Sequence, residues 1–118
     1  PINSRIDMPG YWLDSVDKGF CLLEAVDRSN VKLQYDIYHA QIMAGDLART
    51  LEANLQRIGH IQIADNPGRH EPGTGEINYP FLFAQLDRLG YDGWVGCEYK
   101  PLATTEAGLG WLPSKRYV

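Results

Sequence analysis

The sequence predicts an α/β fold built on a parallel sheet. Three observations carry that reading. Short strand-like apolar runs alternate with stretches of helical period, the pattern of strand–helix–strand units with right-handed crossovers. Each run also carries one polar residue near its C-terminal end, opposite the apolar face: Asp36 in VKLQYDIYH, Gln62 in GHIQIAD and Glu98 in GWVGCEY. Third, a sheet of three such strands has two open edges, and parallel sheets are normally buried on both faces. The pattern therefore suits part of a larger barrel better than a free-standing unit.

The elements follow in order. Residues 1–12 read as a loop broken by Pro1, Pro9 and Gly10. A helix is expected over about 13–25, where Leu13, Val16, Phe20, Leu23 and Val26 fit a 3.6-residue period. A strand over about 31–37 places Val31, Leu33, Tyr35 and Ile37 on one face and Lys32, Gln34 and Asp36 on the other. A second helix is expected within about 40–57, interrupted at Gly45-Asp46, with Asp46 as a candidate cap and Gly59 as its stop. The next strand, about 60–64, sets Ile61 and Ile63 against His60 and Gln62. The stretch DNPGRHEPGTGEINY is longer than an ordinary strand-to-helix connection, and long loops more often carry function. A third helix begins near Pro80 and ends at Gly90. The last strand, about 93–98, opposes Val95, Cys97 and Tyr99 to Trp94, Gly96 and Glu98, and the tail reads as irregular or briefly helical.

With 118 residues, 44% hydrophobic and 22% charged, the chain has globular composition and the length of one domain. Its formal net charge is −4 and it has no Lys/Arg block, so nucleic acid is an unfavoured partner. No apolar run reaches the roughly 18 residues of a membrane span. Cys21 and Cys97 form no CxxC pair and are too few for a disulfide scaffold, so a reducing cytoplasm is expected. The chain opens without an initiator Met or a signal-peptide pattern, and is read as an excerpt or a processed product.

Asp36, Gln62 and Glu98 offer hard oxygen donors of the kind that hold Mg²⁺ or Mn²⁺. Each also has a plain structural reading: Asp36 caps the following helix, Gln62 bonds a neighbouring strand, and Glu98 pairs with a Lys or Arg. His39, three residues after Asp36, is a candidate hydrogen-bond donor or proton-transfer group, or a packing residue. On the PGRHEPGTGE loop, Arg69 suits a carboxylate because its fork makes two parallel hydrogen bonds, and His70, Glu71 and Glu76 stand nearby. GTGE lacks the GxxxxGK[ST] of a phosphate loop, and a plain turn accounts for it equally. Lys100 would assist an anion or pair with Glu98. Trp12, Met43 and Trp111 read as packing residues, and Ser4, Ser15 and Ser114 sit in no nucleophile motif.

At QYDIYHAQIMAGDL, GHIQIADNPGRHEPGTGEINY, LGYDGWVGCEYKP and GLGW the chain resembles the hydroxypyruvate isomerase family of xylose-isomerase-like TIM barrels. The matching stretches span nearly the whole chain in the right order. The resemblance implies the C-terminal portion, about strands 6–8, of a (β/α)₈ TIM barrel of roughly twice this length. It implies a divalent metal, Mg²⁺ or Mn²⁺, on Asp36, Gln62 and Glu98, with Glu98 also moving a proton, and substrate binding by His39 and Arg69. The Arg69 loop is spaced slightly differently from the wider group. A fourth ligand, a Glu paired with Glu98 across the substrate, would stand immediately before Pro1.

The implied activity interconverts hydroxypyruvate and 2-hydroxy-3-oxopropanoate through an enediolate, with a longer 2-oxo-tetronate as the runner-up substrate. A metal-dependent endonuclease of the same fold would show more His ligands and a basic groove. A degenerate barrel acting as a binding module is the non-enzymatic alternative. The expected partners are a small 2-oxo acid and the N-terminal half of the barrel, or a second copy, with neither nucleic acid nor membrane. Alone, the 118 residues are expected to be inactive and to associate or remain partly unfolded.

Overall fold

A computed structural model describes residues 1–112. The elements run α1 (Val16–Val26), β1 (Leu33–Asp36), α2 (Ile37–Met43), α3 (Leu47–Asn54), β2 (Ile58–Ile63), α4 (Tyr79–Leu89) and β3 (Val95–Cys97), with 3₁₀ turns at Leu55–Arg57 and Ala107–Leu109. The three strands form one parallel sheet in the order β1-β2-β3. Tyr35 stands beside Ile61, Asp36 beside Gln62, and Gln62 beside Gly96. The apolar face carries Leu33, Tyr35, Ile61 and Ile63 into a core completed by Ile37, Leu51, Tyr79, Leu82 and Leu86 from the helices. Alternation along each strand thus sends the apolar set to the helices and leaves Asp36 and Gln62 on the other face.

Several expected boundaries move for identifiable reasons. Helix α1 starts three residues late because Ser15 is its cap, extended in backbone and accepting the Lys18 N–H at 3.2 Å. That leaves Asp14 outside the helix, where hydrogen bonds from Lys18 and Arg5, both 2.6 Å, hold its carboxyl down at about 2. The stretch expected as one interrupted helix is two, separated at Ala44–Asp46. Asp46 occupies the cap position of α3 but does not cap it. Its backbone is left-handed (φ 48°), its side chain accepts no helix N–H, and it pairs with Arg49 instead. Gly59 is not a helix stop but a residue of β2. A Cβ there would lie 2.7 Å from the Lys32 side chain, so glycine lets β1 and β2 approach. Helix α4 keeps its expected limits, with Asn78 accepting the Phe81 N–H and Gly90 left-handed at the end.

Three packing expectations also change. Trp12 is 65% exposed, and Cys97 and Val31 are exposed because they lie on or beside edge strands. Trp111 does pack, stacked on Phe83 with ring centroids 5.6 Å apart. Ser114 lies outside the described residues. No helix among the described residues is long and apolar enough to cross a membrane.

Candidate functional site

Strand β1 runs into α2 without a loop, so Asp36 is both the last strand residue and the helix cap. Its Oδ1 accepts the His39 N–H at 3.1 Å, as a short polar side chain at this position should. The side chain is buried, and burial raises its pKa from 3.8 to about 6. The His39 N–H and the Arg69 charge oppose that rise, while the Glu98 charge adds to it. The capping reading of Asp36 therefore holds, and the backbone N–H of Tyr38 adds a smaller contribution in favour of the charged form.

The direct connection also sets His39 in the first turn of α2, where it is 1% exposed. Its Nδ1 accepts the backbone N–H of Ser4 at 3.1 Å. The Ser4 hydroxyl donates to Asp7 Oδ2 at 3.0 Å, and that oxygen stands 3.6 Å from His39 Nδ1. Burial, reinforced by the charge of Arg69, lowers the His39 pKa. With Nδ1 already accepting, the neutral ring carries its proton on Nε2, so His39 can only donate from that side.

Gln62 and Glu98 meet across β2 and the end of β3. Gln62 Nε2 donates to Glu98 Oε2 at 3.0 Å. The same oxygen is 3.2 Å from Arg69 Nη2, and Arg69 Nε also reaches the Glu98 carbonyl at 3.4 Å. Glu98 therefore pairs with Arg69 and not with Lys100. The Arg69 guanidinium lies 5.3 Å from the centre of the Tyr38 ring. Gly96 keeps this face open, since a Cβ there would stand 2.8 Å from His60 Nε2.

Arg69 owes its position to the loop after β2. Asp65, fully buried, accepts backbone N–H groups from Asn66 (2.9 Å), Gly73 (2.8 Å) and Ile77 (3.1 Å). Asp65 also exchanges backbone contacts with Arg69 and His70: Arg69 N donates to Asp65 O, and Asp65 N to His70 O. Arg69 takes a left-handed backbone (φ 59°), uncommon outside glycine, and its carbonyl accepts the Lys100 N–H at 2.8 Å. His70 donates from Nδ1 to the Lys100 carbonyl, and Glu71 Oε2 accepts the Leu102 N–H. Glu76 accepts from Asn66 and Gln41. His70, Glu71 and Glu76 are thus loop fasteners.

The structure brings Gln62, Glu98 and Arg69 into direct contact and sets Asp36 and His39 at the same end of the sheet. Sequence reasoning missed Asp65, Ser4, Asp7 and Tyr38. Asp65 had a signal, an Asp between an apolar strand and Asn-Pro-Gly. Ser4 and Asp7 had none, because they meet His39 only through the tertiary fold.

Among the described residues, no three His, Cys, Asp or Glu side chains cluster closely enough to hold a metal ion. The set at this face is instead two carboxylates and one amide, Asp36, Glu98 and Gln62. That donor chemistry fits a hard divalent cation, with a buried, costly carboxylate charge at Asp36 and an amide that presents oxygen when turned over.

The sequence model described as Xylose isomerase-like TIM barrel matches residues 3–115. A 2-oxo-tetronate isomerase of Cupriavidus necator is 57% identical over 95% of this chain and 43% of its own length. The hydroxypyruvate isomerase of Escherichia coli is 53% identical over 98% of this chain and 45% of its own. A solved structure from Brucella melitensis, described as an AP endonuclease of family 2, superposes with a TM-score of 0.89 at 50% identity. It covers 94% of this chain and 43% of that one. The chain spans less than half the length of the curated relatives it matches.

Proposed function

The chain belongs to the xylose isomerase-like TIM barrel family, and from that premise we propose that it supplies strands six to eight of an aldose–ketose isomerase acting on a small 2-oxo acid. The reaction interconverts hydroxypyruvate and 2-hydroxy-3-oxopropanoate. The observation that carries the reading is the meeting of Gln62, Glu98 and Arg69 at the strand ends, beside Asp36 and His39.

Asp36, Gln62 and Glu98 would hold Mg²⁺ or Mn²⁺, which when bound supplies Lewis-acid polarisation of the substrate carbonyl and its neighbouring hydroxyl. Arg69 clamps the substrate carboxylate through two parallel N–H groups. His39 donates its Nε2–H to a substrate oxygen and, held neutral, does not compete for the transferred proton. Glu98 takes a proton from C3 of hydroxypyruvate, and the resulting enediolate is reprotonated at C2 while the proton of the C3 hydroxyl passes to the C2 oxygen, which leaves the aldehyde at C3.

The 57% identity to a 2-oxo-tetronate isomerase supports the longer 2-oxo acid as the second reading. A nuclease is disfavoured by the net charge of −4 and by a chain with only three His. The test is turnover by the complete protein, stripped of metal and then reloaded with Mn²⁺, on hydroxypyruvate and on a 2-oxo-tetronate. Metal-dependent interconversion of either substrate supports the isomerase. Cleavage of abasic DNA without isomerisation of either acid overturns it.

A further inference from the structure

One carboxylate oxygen at this site is claimed twice. Glu98 Oε2 accepts from Gln62 Nε2 at 3.0 Å and pairs with Arg69 Nη2 at 3.2 Å. An oxygen facing two N–H groups has no free lone pair, so a cation that takes Oε2, alone or together with Oε1, competes with those donors. The two donors differ in what they can do next. The Gln62 amide turns over and presents its oxygen, because a side-chain amide is donor at one end and acceptor at the other. A guanidinium has five donors and no acceptor, so Arg69 yields its place on Oε2 only by moving away.

The surroundings of Arg69 permit that movement in the side chain alone. Its backbone is fixed on both sides, by its N–H on Asp65 O at 3.0 Å and by the Lys100 N–H on its carbonyl at 2.8 Å. The head group is held by the partly exposed Glu98 carboxylate, by the Glu98 carbonyl 3.4 Å from Nε, and by the face of Tyr38 at 5.3 Å. Once displaced from Glu98, the guanidinium keeps its charge and its fork but has lost its carboxylate partner.

We infer that Arg69 is the stand-in counter-ion of Glu98 in the metal-free site, that a divalent cation displaces it, and that the displaced Arg69 then becomes available to a substrate carboxylate. The inference rests on the metal reading proposed above. It orders events at the site, with cation first and carboxylate second, because until the cation arrives the Arg69 guanidinium is turned toward Glu98 Oε2.

The test measures Mn²⁺ affinity by calorimetry in the complete protein, for wild type, Arg69→Met and Lys100→Met. Lys100 makes no ion pair among the described residues, so its replacement removes a nearby positive charge without freeing Glu98. A partly exposed pair is weak, so Arg69→Met is expected to bind Mn²⁺ roughly 2- to 5-fold more tightly than wild type, with Lys100→Met close to wild type. Equal affinity in wild type and Arg69→Met overturns the inference, and so does equal tightening in both variants, which would mark a general field. Failure of every form to bind Mn²⁺ overturns the metal reading itself and the inference with it. A second readout needs no variant: the Arg69 Nε–H resonance of the wild-type protein is expected to shift as Mg²⁺ binds. A resonance unmoved at saturating Mg²⁺ overturns the displacement.

Discussion

The backbone N–H of Ser4 donates to Nδ1 of His39 at 3.1 Å, joining residues 35 positions apart. A backbone amide has no second protonation state, so this contact fixes the imidazole proton on Nε2. The expected outcome is a neutral Nε2–H tautomer in nitrogen NMR shifts. Because burial lowers its pKa, His39 stays neutral below the ordinary histidine value. The sign follows: the unfolded chain takes up that proton first, so the His39 contribution to stability is lost as pH falls. A ring that titrates at or above the ordinary value would refute the assignment.

Asp36 titrates in the opposite sense for stability. Its folded pKa, raised from 3.8 to about 6, lies above the unfolded one. The contribution is therefore present in full below about pH 3.8 and is lost as pH rises through about 6. At 1.36 kcal/mol per pKa unit the loss is about 3 kcal/mol. Asp36→Asn keeps an oxygen for the His39 N–H and removes the charge. In urea melts of the metal-free protein, the variant should match wild type near pH 4 and exceed it by about 1–3 kcal/mol at pH 7. A difference that does not change with pH would contradict this.

Glu98→Gln should lower kcat about 10²- to 10⁴-fold while KM changes little, since a proton-moving group acts mainly in the transition state. Steady-state kinetics on the 2-oxo acid substrate measure both. Near wild-type kcat would remove Glu98 from proton transfer.

Asp65→Ala deprives three backbone N–H groups of a buried acceptor. The expected cost is about 2–4 kcal/mol in thermal or urea unfolding, together with protease cleavage within residues 66–76. Gly75→Ala should act in the same direction, because a Cβ there would stand 2.2 Å from the Asn66 carbonyl oxygen. A loop as protected as wild type in both variants would show that Asp65 does not hold it.

Much of the site was legible because a strand has a strict period of two. Once the apolar faces of VKLQYDI and GHIQI were set, Asp36 and Gln62 had to share the opposite face. The plain structural readings of Asp36 and Glu98 were legible too, since Asp36 caps α2 and Glu98 pairs with an Arg. What stayed hidden depended on contacts between distant segments. Ser4 and Asp7 reach His39 only after the first loop folds over α2. Gly59 was misread because its reason is the Lys32 side chain on the neighbouring strand, not the local chain direction. Asp46 looked like a cap by type, but its left-handed backbone turns the carboxylate away from the helix N–H groups.

Asp65 grips its loop through main-chain N–H groups of Asn66, Gly73 and Ile77, which nearly every amino acid supplies. That grip therefore depends on main-chain atoms, while side chains such as the Thr74 hydroxyl, which donates to the Glu71 carbonyl at 2.7 Å, add local fastening. Such a loop is a ready place for diversification: its decoration can be exchanged while Arg69 keeps its station.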